Sequence, residues 1–350
     1  MKETERLNWR LTTVWWVILF VGAMCLMLVV ANRKTIVIAD GASGEKTAKG
    51  EAADASYELI LTNTASDLGV FRIPLKSGTK AEDVVVENLY LNRELRIFID
   101  DAEPGMYRQQ GISGDIKGIT RAVINAQKDG VLICLQMDAV YEFQTSMEGE
   151  CLQIKASRPK DIYSVIVVVD PALCPKSASD IEATNVDITK DVCSILAKQW
   201  DVADAKLYFT RLEEQVISGE ECVEFVQDVQ ADVFIRLNLA EDEDSTRYGI
   251  VGRYNESYFM PEFGSVQLAD ILTRNVTIAA SNKAVGLIPA DSESILNSLS
   301  IPAAEVELGY LSNSKEWELL TQEEYKAKLA TGVLNALREV RENGYGKRME

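Results

Sequence analysis

Three short segments hold the side chains that could do chemistry. Asp170-Pro171-Ala172-Leu173-Cys174-Pro175 follows an apolar run, Arg236-Leu237-Asn238 ends a second one, and Glu307 sits inside PAAEVELGYLSN. A carboxylate such as Glu307 can serve as general base if an activated water lies within reach. Without one, it bonds to neighbouring backbone or arginine groups. The 350 residues include no histidine. That absence excludes Ser-His-Asp catalysis, a Cys-His dyad, any His-ligated metal and an imidazole pH switch.

These segments need a scaffold, and the pattern around them supplies one. Residues 165–169 are a continuous β-branched run, as in a strand buried on both faces. Residues 206–210, 233–237 and 304–311 read as further strands. Ile188, Val192, Ile195 and Leu196 recur at helical spacing, as do Val266, Ala269, Leu272 and Val276, and Leu329, Val333, Leu337 and Val340. The alternation predicts an α/β fold, a largely parallel sheet with helices on both faces, over residues 162–343. Ligand sites in such sheets form at the carboxyl ends of strands, which gathers Asp170, Cys174, Arg236 and Glu307 into one crevice. Asp170 is expected to cap or tie the first strand–helix turn.

Residues 57–157 read differently. YELILT, FRIPL, DVVVENLYL, ELRIFID, GVLICLQM, YEFQT and CLQIKA are short strand-like runs broken by Pro104-Gly105, Gly111, Ser113-Gly114 and Asp129-Gly130. A small all-β sandwich closes such a segment, with Arg158-Pro159-Lys160 as its boundary. Residues 40–56 are rich in Gly, Ala, Ser and charge, so 32–56 is expected to be a flexible linker.

Residues 11–31 hold no charge over 21 positions, with Trp15 and Trp16 near their start. This length fits a single transmembrane helix. No small-x-small site precedes Asn32, which favours an uncleaved anchor over a signal peptide. Residues 1–10 form a short tail, expected in the cytoplasm, although Lys2, Arg6 and Arg10 before the span are nearly matched by Arg33 and Lys34 after it. The net charge of −18 argues against nonspecific nucleic-acid binding. Six cysteines include Cys25 in the span and leave an odd number beyond it, read mainly as small buried hydrophobes. Cys134 and Cys151 could face each other across adjacent strands. EDED at 241–244 reads as a solvated acidic loop.

Residues 162–340 resemble the zinc-dependent N-acetylmuramoyl-L-alanine amidases of the type-3 catalytic domain. IVVVDPALCP stands where that family has a strand followed by Asp-Pro-Gly-His-Gly-Gly. YFTRLEE is similar to its Thr-Arg-x-x-Asp strand end, and ISGEECVEFVQDVQADVFIRLNLA tracks its segment ending Ile-Ser-Ile-His-Ala-Asn. PAAEVELGYLSNSKEWELL is close to its Pro-Ala-x-Leu-Val-Glu-x-Gly-Phe-x-Ser-Asn block. The β-rich stretch before it resembles, more loosely, the AMIN module that often precedes such amidases.

The resemblance implies a zinc held by two His and one Glu, an open water position, and a second Glu as general base. Glu307 stands at the general-base position. The two His positions read Leu173 and Asn238, and the Glu-ligand position reads Ile181 or Glu182. The expectation is therefore a membrane-anchored, extracytoplasmic pseudo-amidase without cofactor, binding peptidoglycan or a cell-envelope protein. The alternatives are an active amidase using unconventional zinc ligands such as Cys174, Glu182 and Asn238, and an assembly module of a division or sporulation complex.

Overall fold

The structure, a computed structural model, describes residues 38–40, 55–64, 69–173, 187–212, 216–256 and 263–345. Among the described residues no helix is long and apolar enough to cross a membrane. The span expected at residues 11–31 lies outside them.

The first domain contains strands Ile38–Asp40 (β1), Ala55–Glu58 (β2), Leu61–Asn63 (β3), Val70–Pro74 (β4), Val84–Leu89 (β5), Glu94–Asp100 (β6), Ile112–Gly114 (β7), Ile119–Gln127 (β8), Gly130–Met137 (β9), Glu142–Glu148 (β10) and Cys151–Ser157 (β11), with the short helix Pro104–Gln109 (α1). They form two sheets, ordered β1-β5-β6-β9-β8-β2 and β10-β11-β4-β7-β3. Strict alternation along β6 turns Leu95, Ile97 and Ile99 inward. They meet Phe71, Ile73, Leu152 and Ile154 of the other sheet in one core. The sandwich expected from the period-2 runs is the architecture observed.

Two expectations need correction here. The stretch read as a flexible linker is partly strand: β1 pairs in parallel with β5, and β2 pairs antiparallel with β8. Backbone pairing overrides the loop-like composition that lies between these two strands. Cys134 and Cys151 do not lie on adjacent strands; β9 and β11 belong to different sheets, and both cysteines are free.

The second domain has strands Val165–Pro171 (β12), Ala205–Phe209 (β13), Val233–Ala240 (β14), Ile250–Tyr254 (β15), Ala284–Pro289 (β16) and Ala303–Tyr310 (β17). Its helices are Ile188–Gln199 (α2), Gly219–Asp228 (α3), Ser265–Ala280 (α4), Ser314–Leu320 (α5) and Glu323–Glu339 (α6). The sheet order is β13-β12-β14-β17-β15-β16, and every pairing is parallel except β15 with β17. Val165, Val167 and Val169 face α2, α4 and α6, whereas Ile166 and Val168 face α3. Both faces are dry, which is why the run carries no polar alternation. Val266, placed by periodicity on the apolar face of α4, is exposed, and Leu268 lies buried there instead.

The sandwich docks on the α3 side of this sheet. Tyr90 and Val140 join Val168, Tyr208, Phe225 and Phe234 in a single core cluster. Asp228, at the end of α3, accepts from the Val140 N–H at 3.0 Å and pairs with Arg158 at 2.8 Å and Arg93 at 2.8 Å. Glu142 accepts from the Tyr208 hydroxyl and pairs with Lys206. The boundary residue Arg158 is thus itself a clamp between the two domains.

Candidate functional site

The parallel register places the candidate residues on one face. Asp170 pairs with Arg236, Arg236 with Glu305, Asn238 with Glu307, and Arg253 of the antiparallel β15 with Glu305. Side chains two apart on a strand share a face, so Asp170, Arg236, Asn238, Glu305, Glu307 and Arg253 form one row across four strands. The row runs from mid-strand in β17 to the carboxyl end of β12, beyond the aromatic half of the same face occupied by Tyr208 and Phe234.

The row is an ion network. Arg253 Nε donates to Glu307 Oε1 at 2.6 Å and lies 3.9 Å from Glu305 Oε1. Arg236 bridges Asp170 at 3.4 Å and Glu305 at 3.6 Å. Asn238 Nδ2 donates to Glu305 Oε1 at 3.0 Å, while its Oδ1 accepts from the Leu239 N–H at 2.9 Å. Thr210 Oγ1 closes the row by donating to Asp170. Glu305 and Glu307 are both buried. Burial pushes the Glu305 carboxyl above its ordinary range, against the pull of Asn238 and Arg236.

A cavity of about 170 Å³ opens beside the row, lined among others by Asp170, Leu173, Thr210, Arg211, Cys222 and Arg236. Leu173 is 57% exposed at its rim. The Cys222 thiol is pushed up to about 12, by burial first and by Asp170 second, so it stays protonated at neutral pH. The first turn of α3 forms part of the wall, fixed by a capping box in which Ser218 and Glu221 satisfy each other's backbone N–H groups.

The strand–helix turn after β12 is not capped by Asp170. Asp187 caps α2, accepting from the Lys190 N–H, and pairs with Arg211, whose guanidinium also donates to the Pro171 and Ala172 carbonyls. Asp170 instead ties β12 to its neighbours through Thr210 and Arg236. Cys174, Ile181 and Glu182 lie outside the described residues. Among the described residues no group of three Cys, Asp and Glu is arranged to hold a metal ion.

Sequence reasoning found Asp170, Arg236, Asn238 and Glu307 but missed Glu305 and Arg253. A signal for Glu305 was present, since it lies two residues before Glu307 and must share its face. Nothing local marks Arg253; its contact depends on β15 entering the sheet antiparallel beside β17.

The family model of N-acetylmuramoyl-L-alanine amidase (Amidase_3) matches residues 167–339. No curated protein matches the chain. Among solved structures, the N-acetylmuramoyl-L-alanine amidase from Clostridium difficile 630 is 20% identical, over 51% of this chain and 97% of its own, with a TM-score of 0.46. The catalytic domain of CwlV from Bacillus (Paenibacillus) polymyxa is 20% identical, over 51% and 99%, with a TM-score of 0.43. AmiC2 of Nostoc punctiforme is 18% identical, over 51% and 97%, with a TM-score of 0.44. The helix-covered sheet domain of this chain, matched over residues 167–339, belongs to the N-acetylmuramoyl-L-alanine amidase family.

Proposed function

We propose that this protein is a membrane-anchored pseudo-amidase that binds peptidoglycan outside the cytoplasm without cutting it. The observation that carries the reading is the 2.6 Å contact from Arg253 to Glu307. A general base must present a free, basic carboxylate to a water, and this one is buried and held by a guanidinium. The other described positions point the same way. Leu173 offers no donor atom, and both polar atoms of Asn238 are already hydrogen-bonded. These residues do not fit a zinc ion. Arg236 and Arg253 supply the positive charge that the buried carboxylates require.

The β sandwich, read as an AMIN-like module, adds a second binding surface, and residues 11–31 serve as the uncleaved anchor. Protease added to spheroplasts should then remove everything beyond Asn32. The decisive experiment measures zinc content of the purified full-length protein, release of stem peptides from cell walls, and retention on insoluble peptidoglycan. Retention without bound zinc or released peptide is the expected result. Stoichiometric zinc with new free peptides would establish the active amidase instead, with unconventional ligands such as Cys174, Glu182 and Asn238. Failure to bind peptidoglycan at all would remove the binding reading.

A further inference from the structure

Arg211, Arg236 and Arg253 stand around the row and its cavity, and two of them are engaged by short contacts. Arg253 Nε donates to Glu307. Arg211 pairs with Asp187 and donates to the Pro171 and Ala172 carbonyls. Arg236 differs. Its ion pairs are long, 3.4 Å to Asp170 and 3.6 Å to Glu305, and its Nε is buried without a hydrogen-bond partner. The side chain nevertheless keeps 29% of its surface exposed and lines the cavity. A guanidinium carries five N–H donors, so much of the capacity of this one is left for a ligand.

The surroundings of those donors select the ligand. Asp170 lines the same cavity, with Oδ1 accepting from the Thr210 hydroxyl and Oδ2 facing Arg236. An anion drawn to Arg236 would meet Asp170, and a cation drawn to Asp170 would meet Arg236. A neutral group that accepts and donates hydrogen bonds suits the pair. The rest of the lining is apolar: Leu173 and Val216 are 57% and 53% exposed, and Ile217 and Ile295 are partly buried. Apolar walls with a few placed polar groups favour an amide with a small apolar substituent over a bare polyol. We propose that the cavity binds such an amide, its carbonyl accepting from Arg236 and its apolar substituent lying against Leu173 and Val216. Asp170 is then available to an N–H or hydroxyl of the same ligand. The proposal rests on the peptidoglycan reading only for the source of the amide, which is an N-acetyl group of the glycan or an alanyl unit of the stem peptide.

The test uses the full-length protein in detergent and saturation-transfer NMR observed on the ligand. Tri-N-acetylglucosamine probes the glycan source, N-acetyl-L-alaninamide the peptide source, and N-acetyl-L-alanine serves as the anionic control. Transfer to the methyl groups of at least one neutral probe is expected, with the anionic probe bound more weakly. Arg236→Lys keeps the positive charge between Asp170 and Glu305 but loses the planar fork, and should weaken binding roughly tenfold. Val216→Asp, at an exposed position where folding is not at stake, should weaken it several-fold by removing apolar lining. If Arg236→Lys does not fold, Val216→Asp decides the matter. No transfer to either neutral probe, preference for the anionic probe, or unchanged affinity in the folded variants would overturn the proposal. Retention on insoluble peptidoglycan, measured alongside, separates the two readings. Retention without transfer to either neutral probe overturns the cavity proposal alone. Variant-sensitive probe binding without retention supports the cavity and removes peptidoglycan as the source of its ligand.

Discussion

Tyr90 and Phe209, 119 residues apart in the chain, exchange two hydrogen bonds through a single hydroxyl. Tyr90 Oη donates to the Phe209 carbonyl at 2.9 Å and accepts from the Phe209 N–H at 3.2 Å. The same ring lies 5.1 Å from that of Tyr208 and 5.7 Å from that of Phe225, which makes it the aromatic centre of the domain seam. The two domains should therefore unfold in one transition. Tyr90→Ala should cost about 3 to 5 kcal/mol and split the denaturant curve into two steps. Tyr90→Phe should cost about 1 to 3 kcal/mol and keep one step, since only the hydroxyl bonds are lost. Urea titration followed by circular dichroism and tryptophan fluorescence would check both.

The Arg253–Glu307 pair predicts an asymmetry between its partners. Glu307→Gln keeps a hydrogen-bond acceptor beside Arg253 and should cost about 1 to 2 kcal/mol. Arg253→Ala leaves Glu305 and Glu307 buried on one face without their shared cation and should cost about 3 kcal/mol or more. The double variant should cost less than the sum. If the protein binds without catalysis, a stable Glu307→Gln protein should also complement a deletion strain, because only proton abstraction needs the carboxylate's basicity.

Restoring the family's ligands should also require removing that arginine. The Ala172 N–H bonds to the Leu237 carbonyl, so Leu173 and Asn238 follow two directly tied strand ends. Leu173→His with Asn238→His should bind zinc weakly. Adding Arg253→Ser frees Glu307 and removes a repelling charge, and should tighten binding by a further tenfold or so. Competition with a chelator would measure it, and equal affinity for the double and triple variants would show that Arg253 does not govern the site.

Asp187 links the cavity wall to pH. Burial alone would raise its carboxyl, but the hydrogen bonds and charge of Arg211 outweigh it and hold the group below the ordinary carboxylate range. A carboxylate lowered on folding adds stability above its unfolded pKa of about 3.9 and loses it as pH falls through the folded value. Asp187→Asn should therefore destabilise the protein at pH 7 and flatten its acid limb below about pH 4. Thermal melts between pH 3 and 7 would reveal the difference.

Legibility followed locality. The five-residue run 165–169 identified a strand covered on both faces because burial leaves its mark on consecutive residues. Glu307 was found through the block around it, and Glu305 was within reach of the same period-2 reasoning. Arg253 was not, because its partner lies 54 residues away and meets it only through the antiparallel insertion of β15 between β17 and β16. By contrast, β1 was within reach, since the β-branched residues 35–38 lead into it; the loop-like composition after Asp40 masked that signal, and its pairing with β5 identifies the strand.

That small strand sets a leash length. A free linker over residues 32–56 would let the sandwich stand as far as about 85 Å from a membrane anchor ending at Ala31, at about 3.4 Å per extended residue. With Ile38–Asp40 docked against β5, only residues 32–37 remain between such an anchor and the folded domain, a reach of about 20 Å. Under the proposed topology, the protein patrols only the layer of wall lying directly on the membrane.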